Sequence, residues 1–360
     1  MKFFKDVSKV YKYIFLIFSI SIFMSLFTSC RSAGENGSVY VYSYGDYYDP
    51  EIIKEFEAKT GISVIQDSYD TAEEMYHVVK KSTAKYDVIC TSDYMIDKLR
   101  KEELLSPLNK ANIPNIANMD PIYMKKSEEF DPDNKFSIPH VAGVAGIVYD
   151  KKRVDENEVG SWDVLWDKKY KNEIIMPDSV RDAFMISLKR LGYSENSLNE
   201  KEIKEATREL IKQKPLVYKY ANDSARDLVA DGSAKLGIIW NGEYYYTHEL
   251  NKDIEFVVPK EGSESFIDSW IIPKSAQNKE NAEKWINYLC EARVAKKNFD
   301  YLYYTIPNLG AMRLIDDEYI KNESIFPTEE TLDRCNGLKS LGSEADLMYG
   351  EYWKKVKSAR

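Results

Sequence analysis

Residues Val39–Gly61 read Val-Tyr-Val-Tyr-Ser-Tyr-Gly-Asp-Tyr-Tyr-Asp-Pro-Glu-Ile-Ile-Lys-Glu-Phe-Glu-Ala-Lys-Thr-Gly. The pattern predicts strand, loop, helix. Val39 to Tyr42 is β-branched and aromatic, as a strand requires. Asp49 is placed to cap a helix whose first turn accommodates Pro50. Ile52, Ile53 and Phe56 supply its apolar face, and Gly61 allows a left-handed stop. The intervening loop holds Tyr44, Gly45, Asp46, Tyr47 and Tyr48. In open α/β sheets ligands sit beyond the carboxyl ends of the strands, so this loop lies where a ligand would lie. Its aromatic faces and carboxylate suit an amine with an apolar stem; a solvated tyrosine-rich loop has the same composition.

The alternation continues downstream. Strands are expected at Ile62–Gln66, Tyr86–Cys90, Ile174–Met176, Leu216–Tyr218, Leu236–Trp240, Ile254–Val258 and Phe266–Ile272. Helices are expected from Asp70-Thr-Ala-Glu73, a capping-box start, to Lys81, and over Asp93–Lys101, Val180–Leu191, Asn199–Lys212, Ser224–Ala230 and Glu243–Leu250. Ser161-Trp-Asp-Val-Leu-Trp166 opens another helix, and more follow from Asn281. Ser137–Tyr149 is a long apolar run broken by Gly143 and Gly146. It is suited to pass from one lobe to another, with the glycines tolerating bends. The alternation argues for an α/β fold with mostly parallel sheets.

A chain of 360 residues, 44% hydrophobic and 30% charged, is long enough for two lobes with separate cores. The N-terminus is a targeting segment. Lys2, Lys5, Lys9 and Lys12 precede an apolar run from Ile14 to Phe27, short for a membrane span. Leu26-Phe-Thr-Ser-Cys30 follows. It resembles the lipobox of bacterial lipoproteins, with the leucine one place early and Ser before the cysteine. Cys30 is read as the lipidation site, and an uncleaved N-terminal anchor as the alternative. Either puts the folded part outside the cytoplasmic membrane on a tether. Residues 1–29 carry four lysines and one aspartate, so the remainder moves from −9 to −12. That balance disfavours nucleic acid as a partner and suits cationic ligands. Cys90 reads as buried and inert, and a Cys290–Cys335 disulfide is open. No spacing suggests a metal site, and His77, His140 and His248 are scattered. Nucleophile-elbow, zincin, phosphate-loop and Cys-x-x-Cys motifs are absent, which lowers the case for an enzyme.

Several stretches together resemble the periplasmic spermidine/putrescine-binding proteins of ABC importers, from Val39 to Arg360. They are Glu55-Phe-Glu-Ala-Lys-Thr-Gly-Ile-Ser-Val, Tyr86-Asp-Val-Ile, Met95-Ile-Asp-Lys-Leu-Arg-Lys-Glu, Phe130-Asp-Pro-Asp-Asn-Lys-Phe-Ser-Ile-Pro, Ser161-Trp-Asp-Val-Leu-Trp, Leu236-Gly-Ile-Ile-Trp-Asn-Gly, Asp268-Ser-Trp-Ile-Ile-Pro and Ile306-Pro-Asn-Leu. The resemblance implies a two-lobed periplasmic-binding-protein fold of type II with the ligand cleft between lobes. It implies residues 1–29 as signal peptide, 30–38 as tether, 39–141 and 267–311 as lobe 1, and 142–266 and 312–360 as lobe 2. It also implies capture of putrescine or spermidine and delivery to ABC permease subunits, with no cofactor and no catalysis.

Carried over residue by residue, the resemblance puts Tyr44, Asp46, Tyr47, Ser92, Tyr94, Asp182, Trp240, Phe266, Asp268 and Tyr304 in the cleft. Polyamine nitrogens resemble lysine, with a pKa of about 10, and enter charged. Each ammonium that loses water needs a carboxylate or another acceptor, and the methylene spans need flat walls. Asp182 and Asp268 would grip one ammonium and Asp46 the far end. Tyr304 suits a core position equally well. Tyr44 stands where the family has Trp, Ser179 where spermidine binders often have an acid, and Phe266 where they often have Trp. Glu243 stands where putrescine binders place an acid, although a first-turn helix acid needs no such role. A sugar, amino acid or ferric ion on the same fold remains an alternative ligand, with Tyr245 and Tyr246 as iron donors. A surface hydrolase using Asp182 and Asp268 is a further alternative, as is a sensing or adhesive lipoprotein with no permease. Residues Glu329–Asp346, including Lys339, align poorly with the family.

Overall fold

The computed structural model describes residues 34–81 and 85–359. The signal segment 1–29 and the lipidation candidate Cys30 lie outside the described residues. The tether assigned to residues 30–38 does not run free to its end. From Gly34 the chain turns back on the body, with the Asn36 amide donating to the Gly61 carbonyl at 3.0 Å and Ser38 opening the first strand.

The strands are β1 (Ser38–Tyr44), β2 (Ser63–Tyr69), β3 (Val88–Thr91), β4 (Ser137–Asp150), β5 (Ile174–Met176), β6 (Val217–Tyr220), β7 (Leu236–Trp240), β8 (Ile254–Val257), β9 (Glu264–Ile271) and β10 (Asn336–Gly337). They hydrogen-bond in the order β2-β1-β3-β9-β4-β7-β5-β6, with β8 beside β4 and β10 beside β9. The βαβ neighbours β1–β2, β1–β3, β5–β6 and β5–β7 are parallel. The strands joining the two halves are antiparallel: β9 to β3 and β4, and β4 to β7 and β8. The sheet is therefore mixed, because β4 leaves one half and β9 returns to it. One half of β4, Ser137 to Val144, pairs with β9, and Ala145 to Asp150 pair with β7 and β8.

Every residue of β4 is buried, which is why its sequence shows no alternation. Gly143 and Gly146 serve close approach rather than bending. A Cβ at Gly143 would stand 2.2 Å from Asn241 Oδ1 and 2.8 Å from the Phe266 ring, and one at Gly146 would stand 2.5 Å from Phe256. Each half has its own apolar core. Val41, Phe56, Trp270 and Trp285 gather on one side, and Trp162, Phe184, Ile203 and Tyr349 on the other.

The first helix, Pro50–Thr60, forms as its sequence requires. The Asp49 carboxylate accepts from the Glu51 amide at 2.8 Å, and Gly61 closes it at φ 69°. Ile52 and Phe56 are buried against the Trp285 side, while Ile53 is only partly covered. The second helix, Ala72–Lys81, is capped one residue later than expected. Thr71 Oγ1 accepts from the Glu74 amide at 3.2 Å and Glu74 reaches back to the Asp70 amide at 3.3 Å. That register frees Glu73 from capping. The segment after Ser161 is a short 3-10 turn, Trp162–Trp166, because Asp167 starts a new turn by accepting from Lys169. Cys290 and Cys335 form no disulfide; both thiols are free and buried, as is Cys90.

The junction of the halves depends on Asn241. It is fully buried, accepts from the Val144 amide at 2.9 Å, and donates to the Ser324 and Ile325 carbonyls at 3.1 Å each. Asn241→Ala leaves three buried backbone groups without this partner and should cost about 2–4 kcal/mol. The check is a urea titration, with the midpoint falling and the slope unchanged.

Candidate ligand-binding cleft

A cavity of about 280 Å³ opens at the carboxyl ends of β1, β3, β5 and β7 and along β9. Each element supplies its side chains for a local reason. After β1 the loop turns at Asp46, which takes a left-handed conformation (φ 50°) that aspartate tolerates. The Tyr47 carbonyl behind this loop accepts from His140 Nε2 at 2.9 Å, and the Asp49 amide donates to Asn298 at 3.0 Å. His140 is buried, which lowers its pKa to about 4 and keeps it neutral. On β9, Glu264, Phe266 and Asp268 share one face by strand alternation. Gly242, after Trp240, admits the Tyr304 ring, which would lie 2.2 Å from any Cβ there.

All of Tyr44, Asp46, Tyr47, Ser92, Tyr94, Asp182, Trp240, Glu243, Phe266, Asp268 and Tyr304 line the cavity, as does Ser179. The aromatic wall is continuous. The Tyr44 and Tyr47 rings are 5.2 Å apart, Tyr47 and Tyr304 6.4 Å, and Tyr304 and Phe266 6.0 Å. Tyr44 is hydrogen-bonded to Ser92 at 2.8 Å, and Tyr94 donates to Glu73 at 3.1 Å. Tyr47 donates to Asp268 Oδ2, whereas Asp268 Oδ1 is buried without a partner. Asp46 is the outlier: it stands at the mouth, its side chain 71% exposed.

Burial governs the acids. It raises Asp268 to about 6, against hydrogen bonds from Tyr47 and Ser92. Burial, with the charge of Asp268, raises Asp93 to about 8. Glu243 also rises to about 8, by burial and the charge of Asp223, and its Oε2 has no partner. Asp182 and Glu264 are hydrogen-bonded to each other, and burial pushes both upward. Trp240 Nε1 donates to Glu264 at 2.9 Å. The tyrosines, raised by burial, remain phenols that donate.

Glu264, Asp93, Glu73 and Arg226 line the cavity but are not among the expected site residues. Glu264 had a signal, because it alternates with Phe266 and Asp268. Glu73 was obscured by the misplaced cap, and Asp93 looks like a first-turn helix acid. Arg226 sits in an ordinary short helix, Ser224–Ala230. Tyr245 and Tyr246 diverge: Tyr245 stacks on Tyr303 at 4.0 Å, and Tyr246 faces the cavity. Lys339 is exposed and uses its backbone on Arg181 and Asn196, while Leu338 beside it lines the cavity.

The sequence matches the family described as bacterial extracellular solute-binding protein over residues 51–328. The chain belongs to that family. Among similar proteins, the spermidine/putrescine-binding periplasmic protein of Escherichia coli is 35% identical over 338 residues, covering 94% of this chain and 96% of that one. The putrescine-binding periplasmic protein of the same organism is 28% identical, covering 91% and 93%. The solved structure of a putative spermidine/putrescine ABC transporter from Listeria monocytogenes superposes with a TM-score of 0.86 at 33% identity, covering 90% and 99%. The α/β architecture with a cleft between lobes is thus that of this solute-binding family. Among the described residues no helix is long and apolar enough to cross a membrane.

The raised acids give the empty protein a signed pH dependence. Their folded pKa values exceed the unfolded ones, so the folded state binds more protons between the two, and stability falls as pH rises. Asp268 acts between its unfolded value and about 6, and Asp93 and Glu243 up to about 8. His140 works oppositely and only on the acid side, its contribution lost as pH falls from 6.5 to about 4. The melting temperature of ligand-free protein should therefore drop from pH 6 to pH 8.5. Asp93→Asn with Glu243→Gln should flatten that slope.

Proposed function

We propose that this solute-binding protein captures a polyamine, putrescine or spermidine, by closing its lobes on it, and delivers it to an ABC permease. The observation that carries the proposal is the pairing of unpartnered, buried carboxylate oxygens on Asp268 and Glu243 with a continuous aromatic wall. An alkyl diammonium satisfies both at once. An ammonium at Asp268 replaces that carboxylate's missing partner, and the methylenes lie on ring faces that also attract cations. A sugar could donate its hydroxyls to these carboxylates but would bring no charge to offset their burial. The names of the relatives point the same way.

In this reading Asp268, Asp182 and Glu264 hold one ammonium, and Tyr44, Tyr47, Trp240, Phe266 and Tyr304 line the stem. Ser92 and Tyr94 orient Tyr44 and Glu73, and Asp46 and Glu243 define the other end. The lobes are 39–141 with 267–311, and 142–266 with 312–360, hinged where β4 and β9 cross. Cleft closure removes water from the ammonium groups, which strengthens their pairing with the acids. The ligand leaves unchanged, so no catalytic group is required.

The deciding experiment is calorimetric titration of the purified full-length protein, unfolded and refolded to strip carried-over ligand, with putrescine and with spermidine. Binding of at least one is expected, and no heat with either would overturn the assignment. Asp268→Ala should weaken binding about a hundredfold or more, since it removes a buried charge partner worth about 3 kcal/mol. Unchanged circular dichroism would show that the fold is intact.

The same proposal makes Cys30 a lipid anchor that holds the protein outside the cytoplasmic membrane. Cys30→Ser should move the protein from the membrane to the soluble fraction or leave it with an unprocessed, heavier N-terminus. Either outcome is visible by fractionation and intact mass. A variant of wild-type processing and distribution would count against lipidation.

A further inference from the structure

Among the described residues Arg226 is the one basic side chain lining the cavity. It reaches across the cleft. Its Nη2 stands 3.7 Å from Asp46 Oδ2, on the loop after β1, and its Nη1 stands 3.6 Å from Glu243 Oε1, on the helix after β7. Its guanidinium lies over the Tyr246 ring, 5.0 Å from the centroid. We infer that Arg226 sets which polyamines the cleft accepts. It holds the seat between Asp46 and Glu243 that the outermost ammonium of a long polyamine would need, so the cleft favours a diamine over a triamine. The inference deepens the polyamine assignment and rests on it.

Three features separate this residue from an ordinary structural arginine. First, its geometry is that of a ligand rather than of a clamp. Structural guanidinium–carboxylate pairs are short and often bidentate, but none of the Arg226 pairs, including Asp227 at 3.7 Å, comes closer than 3.6 Å. Its Nε is buried without a hydrogen bond, and so is Glu243 Oε2 beside it. Second, its surroundings are those expected of a bound ammonium: Asp46 and Glu243 on opposite walls, Asp227 and Asp223 beside them, and an aromatic face beneath. Third, its charge is permanent, because a guanidinium is not deprotonated in proteins.

The opposite end of the cavity differs. Asp268, Asp182, Glu264 and Asp93 cluster there with no basic side chain among the lining residues. An incoming ammonium finds its vacant partners at that end. A four-carbon diamine can seat one ammonium there and lay its stem on the aromatic wall. A triamine adds an aminopropyl arm with a further charge directed at Arg226. That charge must either displace the guanidinium or sit beside it, where like charges repel. Discrimination then comes from a repulsive element built into the site rather than from a better fit to the favoured ligand.

The test compares putrescine and spermidine by calorimetry on full-length wild type, Arg226→Ala, Arg226→Gln and Arg226→Lys. Removing the charge should raise spermidine affinity about tenfold or more while putrescine affinity stays within about threefold, because only the longer ligand meets the seat. Arg226→Gln keeps a polar stem of similar course should the alanine variant fold poorly. Arg226→Lys keeps the charge and should keep the wild-type preference. If the neutral variants leave the spermidine-to-putrescine ratio unchanged, or weaken both ligands in parallel, Arg226 does not select and the inference is overturned while the polyamine assignment stands. If wild type binds neither ligand, both fall.

Discussion

An ammonium group gives up its water where carboxylates, other acceptors or aromatic faces replace it, and a carboxylate is buried where a proton, a cation or hydrogen-bond donors accompany it. That reciprocal constraint organises the cleft. Before a ligand arrives, each buried acid is accommodated differently. Asp268 accepts from the Tyr47 phenol. Asp182 and Glu264 are hydrogen-bonded to each other, and both are pushed toward the protonated form. Glu243 faces Arg226 at 3.6 Å. Two of these arrangements are incomplete, as the unpartnered oxygens of Asp268 and Glu243 record. The cleft thus holds buried carboxylate oxygens whose lost hydration a cationic ligand would offset.

The second requirement is rigidity at the point where the halves meet. β4 and β9 run antiparallel where the halves meet, and β9 presents Glu264, Phe266 and Asp268 on one face. A strand places alternate side chains with little freedom, so two acids and the ring between them are held by the same backbone that joins the lobes. The glycines there, Gly143 and Gly242, let Asn241, Phe266 and Tyr304 approach the main chain more closely than any other residue would permit. The junction of the halves and the wall of the cleft are therefore one construction.

Much of the fold was legible because its elements are local. Asp49, Pro50 and Gly61 punctuate a helix in ways that need no distant partner, and Ser137–Tyr149 stands out as a long apolar run, which proves to be one fully buried strand. The loop after β1 could be recognised as a ligand loop from its place between strand and helix. Misreadings arose where local signals tie. Asp70 and Thr71 both suit a cap, and the choice of Thr71 is made by how Glu74 reaches back to the Asp70 amide. The mixed sheet was hidden because strand direction is a property of pairing rather than of composition.

The sequence by itself determined the α/β alternation, the aromatic and acidic strand ends, and the family to which the chain belongs, since these follow from propensity, capping and motif. Only the tertiary structure decided which of many acids share the cleft. Glu73, Asp93 and Glu264 enter it beside Asp182 and Asp268, although they come from four separate segments of the chain. The structure alone also decided that Arg226 lies between Asp46 and Glu243, 180 residues and 17 residues away in the chain. The physical reason is common to both. Burial and charge pairing depend on distances across the fold, and no local pattern encodes the neighbours that closure of the two halves brings together.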